Sequence, residues 1–318
     1  MDKNINEHFI ENIDIKNFKC FKDFKADGFK RVNLIGGKNN VGKTAFMEAC
    51  YLAKHTANDF YKALLVIELL RDHRKELEII QDTNSFDFRF TDAQIYLNNK
   101  SCSLNLVGDD LYTKPEKNQR NGIKQLIEFY QGNYRPLKIE NNSFLSLCNI
   151  NKENLKNLIG DIKFLGKWEE SNSLLNRLFD VEYIDYIKDK VFLKQHNNHI
   201  EISDFGGGIQ HFIYILLSLF ANSNNIIFID EIENGIHYSI LDTLWEVILT
   251  ISKEQNVQVF ATTHSKECIE SYARIAKKLD DNDITYSILS KLKSKELLHT
   301  LYDSDILEAA ISNEHEVR

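Results

Sequence analysis

The first residues alternate apolar and polar positions in strand fashion: Ile13, Ile15 and Phe18 are spaced by polar residues, and Phe21 and Phe24 follow. With a turn near Asp27-Gly28 and the short apolar run Arg31-Val32-Asn33-Leu34-Ile35, the pattern predicts a strand pair leading into a third strand. Ala45 to Leu52 is mostly apolar and reads as a buried helix, and Asp59 to Gln81 holds a helical segment through Leu64, Leu65, Ile67, Leu69 and Leu70. Strand character returns between Phe86 and Val107, most clearly in Ala93–Leu97 and Ser103–Val107, with Asn98-Asn99-Lys100 as the turn.

From about Gly108 to Asp180 the chain is polar and rich in Asn and Lys, and it contains both prolines, Pro115 and Pro136. Helical patches occur at Ile123–Ile127 and Leu174–Phe179, without the sustained heptads of a long coiled coil, so a compact helical insert is expected. Val191-Phe192-Leu193 and Ile200-Glu201-Ile202 bracket a polar turn. There His196 and His199, without further ligands, read as a solvated hairpin tip rather than a metal site. Beyond this come an apolar helix from Ile209 to Phe220, a continuous apolar run at Ile226–Ile229 and another strand from Val257. A helix from Lys266, a strand at Ile284–Leu289 and a helical stretch from about Asp305 to Ile311 complete the pattern. The 209–220 run is interrupted by Gln210, His211 and Ser218 and is shorter than the roughly 20 residues that span a bilayer.

Between the third strand and the first helix lies Gly37-Lys38-Asn39-Asn40-Val41-Gly42-Lys43-Thr44, which fits G-x-x-x-x-G-K-[ST], the Walker A phosphate loop. Average residue usage yields this pattern in roughly one per cent of chains of this length, before the strand and helix flanks are required. The glycines allow successive backbone N–H groups to converge on phosphate oxygens, and the following helix turns its positive end toward them. Gly37, Asn39, Asn40, Val41, Gly42, Lys43, Thr44 and Ala45 are therefore candidate nucleotide contacts. Lys43 reaches the terminal phosphates and the Thr44 hydroxyl is a candidate Mg²⁺ ligand.

Two further constellations complement the loop. Gly206-Gly207-Gly208 opens the apolar helix, a second anion-binding possibility at a helix N-terminus. Ile226-Ile227-Phe228-Ile229-Asp230-Glu231 has the form of a buried parallel strand ending in two acids, the Walker B arrangement. Asp230 would support Mg²⁺, and Glu231 would polarise the attacking water. The strand from Val257 ends in Thr262-Thr263-His264-Ser265, placing His264 where a γ-phosphate sensor would sit.

Composition narrows the class. The 318 residues are 43% hydrophobic and 27% charged, which is globular, and the net charge of -8 argues against a surface that coats nucleic acid while leaving a local basic groove possible. Five scattered cysteines without C-x-x-C spacing fit reduced thiols in a cytoplasm, and the N-terminus lacks a secretory pattern.

Walker A, Gly206–Gly208, Asp230-Glu231, Asn234-Gly235-Ile236-His237 and Thr262–Ser265 together resemble the ABC-type ATPase heads of the SMC and RecF group, most of all the stand-alone AAA-family ATPases related to OLD (overcoming lysogenization defect) proteins. The opening Ile15-Lys16-Asn17-Phe18-Lys19-Cys20-Phe21 is similar to the start of such heads. The resemblance implies an α/β P-loop NTPase with a mixed central sheet, an N-terminal antiparallel β-subdomain and a helical lobe. Residues 1–107 would begin the nucleotide-binding lobe, 108–190 would form a short helical arm, and 191–318 would complete the ATPase.

It also implies a homodimer or higher homo-oligomer joined through ATP sites, in which Gly206–Gly208 touch ATP held by a second subunit. Asn234–His237 would be the D-loop and His264 the switch histidine, although Phe205-Gly206-Gly207-Gly208-Ile209 departs from LSGGQ. The cofactors would be ATP and Mg²⁺, the catalytic residues Glu231, His264 and Lys43, and the metal ligands Thr44 and Asp230. The stretch after the switch is too short for the TOPRIM nuclease of OLD proteins, so a separate effector, a nuclease or toxin in anti-phage defence, is expected. A DNA-repair ATPase and a scaffold with negligible turnover are the alternatives. A GTPase is disfavoured because Asn151-Lys152-Glu153-Asn154 lacks the aspartate of N-K-x-D.

Overall fold

The computed structural model describes residues 8–56, 66, 70, 93–98, 100–104, 143–146, 150, 152–196, 198–291 and 297–312. The N-terminal alternation forms an antiparallel hairpin, β1 (Asn12–Phe18) and β2 (Phe21–Asp27), with Ile13, Ile15, Phe18, Phe21 and Phe24 buried. After β3 (Val32–Gly36) and helix α1 (Lys43–Thr56), the strands β4 (Ala93–Leu97) and β5 (Lys100–Leu104) extend that hairpin into a four-stranded antiparallel sheet of order β2-β1-β4-β5. The second strand of the β4–β5 hairpin begins at Lys100, earlier than its apolar pattern predicts. Asn98 adopts a left-handed φ of 49°, and its Oδ1 accepts the Glu11 backbone N–H at 2.7 Å, which pins the turn to β1. The helical segment expected within Asp59–Gln81 lies outside the described residues except for Val66 and Leu70, which are helical and buried. The stretch 105–142, with both prolines and the patch at Ile123–Ile127, also lies outside them.

The second half of the chain builds outward from short β6 (Phe144–Ser146). Helices α2 (Lys152–Phe164) and α3 (Trp168–Phe179) come next, then an antiparallel meander of β7 (Tyr183–Ile187), β8 (Lys190–Gln195) and β9 (Asn198–Glu201). At the tip of the β8–β9 hairpin His196 faces Asp180 at 3.4 Å and His199 contacts the Tyr183 hydroxyl at 3.2 Å. Then follow α4 (Gly207–Ala221), β10 (Ile226–Asp230), α5 (Leu241–Glu254), β11 (Gln258–Thr262), α6 (Lys266–Lys278), β12 (Ile284–Lys291), β13 (Leu297–Tyr302) and α7 (Ser304–Ser312).

The central sheet has the order β13-β12-β3-β11-β10-β6, with parallel neighbours throughout except for antiparallel β13. Its mixed character agrees with the expectation. Phe144–Ser146 joins this sheet beside β10, although it falls in the stretch expected to be a helical insert.

The continuous apolar runs are explained by burial on both faces. Ile227, Ile229, Val259 and Ala261 face a core shared with α2–α6, whereas Ile226, Phe228 and Phe260 face α1 and the N-terminal sheet. Register aligns Phe144, Phe228 and Phe260 across three strands, and their rings stack with centroids 6.1 and 5.5 Å apart. Each such pair contributes about 0.5–1.5 kcal/mol beyond area burial. In the helical lobe, Leu155, Leu158, Ile159 and Ile162 of α2 and Leu174 and Leu175 of α3 pack into the first core with α4. Tyr272 of α6 donates to the Val32 carbonyl at 2.9 Å, tying a helix to the strand that enters the phosphate loop. Among the described residues no helix is long and apolar enough to cross a membrane.

Candidate functional site

In a parallel sheet, loops at the carboxyl ends of neighbouring strands share one edge. Here β11 lies between β3 and β10, with Thr262 paired to Ile35 and Ala261 to Ile229. The Gly37–Thr44 loop, the acids after β10 and the polar cluster after β11 are therefore brought to one edge by strand order alone.

The loop is shaped by left-handed backbone at Gly37 (φ 137°), Asn40 (φ 60°) and Gly42 (φ 100°). At Gly42 space adds to the constraint, because a Cβ there would lie 2.6 Å from the Cys20 Sγ. The β1–β2 turn thus presses against the loop, and its Lys19 pairs with Glu48, a buried acid on α1. Lys43 Nζ donates to the Gly37 carbonyl at 2.8 Å and the Lys38 carbonyl at 3.1 Å. Burial lowers the pKa of its ammonium, against the opposing pull of Asp230, Glu231 and Glu233. Asn39, Val41 and Ala45 complete the loop and the first turn of α1, with Val41 and Ala45 buried.

Around Asp230 runs a hydrogen-bonded relay. Thr44 Oγ1 donates to Asp230 Oδ2 at 2.9 Å, and Thr262 Oγ1 donates to Asp230 Oδ1 at 2.5 Å while accepting the Glu231 backbone N–H at 2.8 Å. Burial raises the Asp230 carboxyl above its ordinary value, and the two threonine hydroxyls oppose that rise. Glu231 has a left-handed φ of 51°, uncommon for a residue with a side chain, so the chain turns sharply as soon as the strand ends. Its own acid is raised by desolvation first and by the neighbouring Asp230 second.

Glu233, two residues further on, escaped the sequence reading. Its Oε1 accepts the His264 backbone N–H at 2.8 Å and lies 3.0 Å from His264 Nδ1, whereas its Oε2 is buried without a hydrogen-bond partner. An unmet buried acceptor of this kind costs about 1–3 kcal/mol. Thr262, a central member of the relay, entered the sequence reading only as part of a polar cluster. Ser265, in that same cluster, caps α6 by accepting the Cys268 N–H at 3.1 Å.

Gly206–Gly208 sit at the start of α4 against the turn after β10. A Cβ on Gly208 would come 2.8 Å from the Gly235 carbonyl, whereas Gly206 and Gly207 have open space beside them. His211, also absent from the sequence-based site, donates through Nδ1 to the Asn234 carbonyl at 2.6 Å. Gly235 has φ 70°, and a Cβ there would lie 2.7 Å from the His211 ring. The candidate signature loop and the candidate D-loop are thus one packed unit. Among the described residues no cluster of three or more His, Cys, Asp and Glu side chains forms a metal cage.

Comparison with known proteins bears on the fold and the family. A Helicobacter pylori protein (strain ATCC 700392 / 26695) described as an ATP/GTP phosphatase is 24% identical, the alignment covering 96% of this chain and 98% of the relative. An SMC head solved with the C-winged helix domain of ScpA superposes with a TM-score of 0.53 at 10% identity, over 96% of this chain and 99% of that one. A Pyrococcus furiosus Smc head with an extended coiled coil, bound to the C-terminal domain of ScpA, gives a TM-score of 0.52 at 9% identity with the same coverage of 96% and 99%. The fold is accordingly the α/β P-loop architecture of SMC-type heads. The profile of the AAA ATPase domain matches residues 9–103 and 83–269, well over half of the sequence, and the chain belongs to that ATPase family.

Proposed function

We propose that the chain binds Mg-ATP in the Gly37–Ala45 loop and hydrolyses it with Glu231 as the general base. The observation that carries this reading is the relay from Thr44 through Asp230 and Thr262 to the Glu231 backbone. It links the phosphate loop to the acid that would act on water. A hydroxyl and a partly buried carboxylate facing one another are hard oxygen donors suited to Mg²⁺, so Thr44 and Asp230 would hold the ion. Bound Mg²⁺ would neutralise charge on the phosphates. Lys43, freed from the two carbonyls it now meets, would turn to the terminal phosphates. Glu231, its acid held above the ordinary range, would accept a proton from water, and His264 would read the γ-phosphate.

In this reading the site is completed by Gly206–Gly208 of a second copy in a head-to-tail homodimer or larger homo-oligomer. The open space beside Gly206 and Gly207 supports it, since backbone there is free to approach a ligand. Residues 1–107 and 191–318 form the nucleotide-binding unit, with 108–190 contributing the arm and the edge strand β6. The biological setting is that of an OLD-related ATPase controlling a separate effector in anti-phage defence. That part rests on the motif resemblance alone. Replacing Glu231 by Gln tests the core. The variant should bind ATP, lose turnover by about 10²–10⁴-fold and accumulate dimers or larger assemblies. Normal hydrolysis by the variant would remove Glu231 from the chemistry.

A further inference from the structure

His264 has two ring nitrogens, and their roles are decided by Glu233. A carboxylate only accepts hydrogen bonds, and its negative charge favours a proton on the nearer ring nitrogen, Nδ1, which lies 3.0 Å from Glu233 Oε1. In the neutral ring that leaves Nε2 as an acceptor. The same oxygen also receives the His264 backbone N–H at 2.8 Å, so one carboxylate fixes both the start of the residue and the face of its ring. Glu233 comes from the turn after β10 and His264 from the end of β11, and the pair therefore spans the two strands that flank the proposed reaction centre.

Simple capping of the loop after β11 does not account for everything seen. The second oxygen of Glu233 is buried without a donor, and the charge of Glu233 acts on both Lys43 and Glu231. The ring itself is 52% exposed, so packing alone does not hold it.

We propose that Glu233 is a positioning residue that locks His264 in the Nδ1–H tautomer and turns its Nε2 edge toward the reacting phosphate. The proposal rests on the ATPase reading for its consequence, but its central claim concerns the nucleotide-free protein. In that arrangement Nε2 accepts a hydrogen bond while the ring is neutral and donates one only after the ring takes a second proton. A proton on Nε2 would make that edge a donor to a phosphate oxygen, with Glu233 facing the other edge of the ring.

Nitrogen-15 NMR of histidine-labelled protein without nucleotide tests the claim directly. The wild type should show His264 protonated at Nδ1, Glu233→Gln should retain that tautomer because its amide oxygen still accepts, and Glu233→Leu should lose it. In ATP turnover, Glu233→Leu should lower kcat by about 10²-fold with KM little changed, and Glu233→Gln should recover most of the loss. A wild-type His264 carrying its proton on Nε2 overturns the proposal, even if Glu233→Leu fails to fold. So does a tautomer that is unchanged in Glu233→Leu. Undiminished turnover in Lys43→Ala would instead overturn the reading of the site while leaving the tautomer result standing.

Discussion

Replacing Thr262 by Val keeps a branched side chain of similar size in a fully buried position and deletes only the hydroxyl of the relay. Two bonds disappear: the one to Asp230 Oδ1 at 2.5 Å and the one from the Glu231 N–H at 2.8 Å. A hydrogen bond to a charged group contributes about 1.5–3 kcal/mol, and a buried N–H left unmet costs about 1–3 kcal/mol. Because both depend on one hydroxyl, the two do not simply add, and a loss of about 2–4 kcal/mol is expected. Urea unfolding of the nucleotide-free protein measures it as a lower midpoint at unchanged slope.

The pH dependence of that loss is the sharper test. The Asp230 acid is already raised by burial, and Thr262 is the first of the groups that restrain the rise. A raised acid keeps its proton in the folded state after the unfolded chain has released its own. Stability therefore falls as pH climbs from the ordinary value of 3.8 toward the raised one, and is level above it. Without Thr262 that fall extends to higher pH, so the variant's deficit should be greatest at neutral pH and shrink on acidification. A deficit below about 0.5 kcal/mol, the range of an inconsequential substitution, would refute the relay as a source of stability. A deficit that stays constant with pH would refute its electrostatic basis.

Lys43→Ala should abolish nucleotide binding in a fluorescent-ATP titration while barely changing unfolding of the free protein, whose Lys43 meets only two carbonyls. Gly235→Ala forces a Cβ to within 2.7 Å of the His211 ring at φ 70°, and should cost about 1–3 kcal/mol in the same urea assay. His299 sits against Phe24 and Phe29 with its Nε2 2.9 Å from the Ser287 hydroxyl, and burial lowers its pKa despite Asp27. The unfolded chain thus takes up a proton below the ordinary value of 6.5 that the folded ring resists. Its contribution is complete above that value and declines as pH falls toward the lowered one. Comparing urea midpoints of wild type and His299→Phe across this window should show a shallower decline in the variant.

The parts of the site that were legible from sequence are those whose chemistry is local. The phosphate loop needs its glycines and its lysine within eight consecutive positions, and the strand ending in Asp230 announces itself as an unbroken apolar run. What escaped notice is carried by contacts between distant positions. Thr262 acts on Asp230 across 32 residues and Glu233 on His264 across 31, and no periodicity marks either pair. Among the strands, β6 has three residues, too few to show alternation. The apolar positions of β7 are interrupted by polar ones, as suits a small antiparallel meander. Helix α2 was obscured by its charged outer face, since only Leu155, Leu158, Ile159 and Ile162 reach the core, whereas the C-terminal half of α3 was legible as the helical patch Leu174–Phe179 and only its more polar first half was not.

Strand order and site geometry also constrain one another. Asp230 is held from both directions, by Thr44 at the start of α1 and by Thr262 at the end of β11, because β11 is inserted between β3 and β10. Side chains alternate along a strand, so slipping β11 by one residue would carry Phe260 into the core occupied by Val259 and Ala261 and would turn the Thr262 hydroxyl away from Asp230. The stacked Phe144, Phe228 and Phe260 oppose that slip on the α1 face, several residues away from the chemistry. Truncating Phe260 should therefore disturb the relay as well as the core. The large apolar rings between the strands set the register in which two threonine hydroxyls meet one partly buried acid.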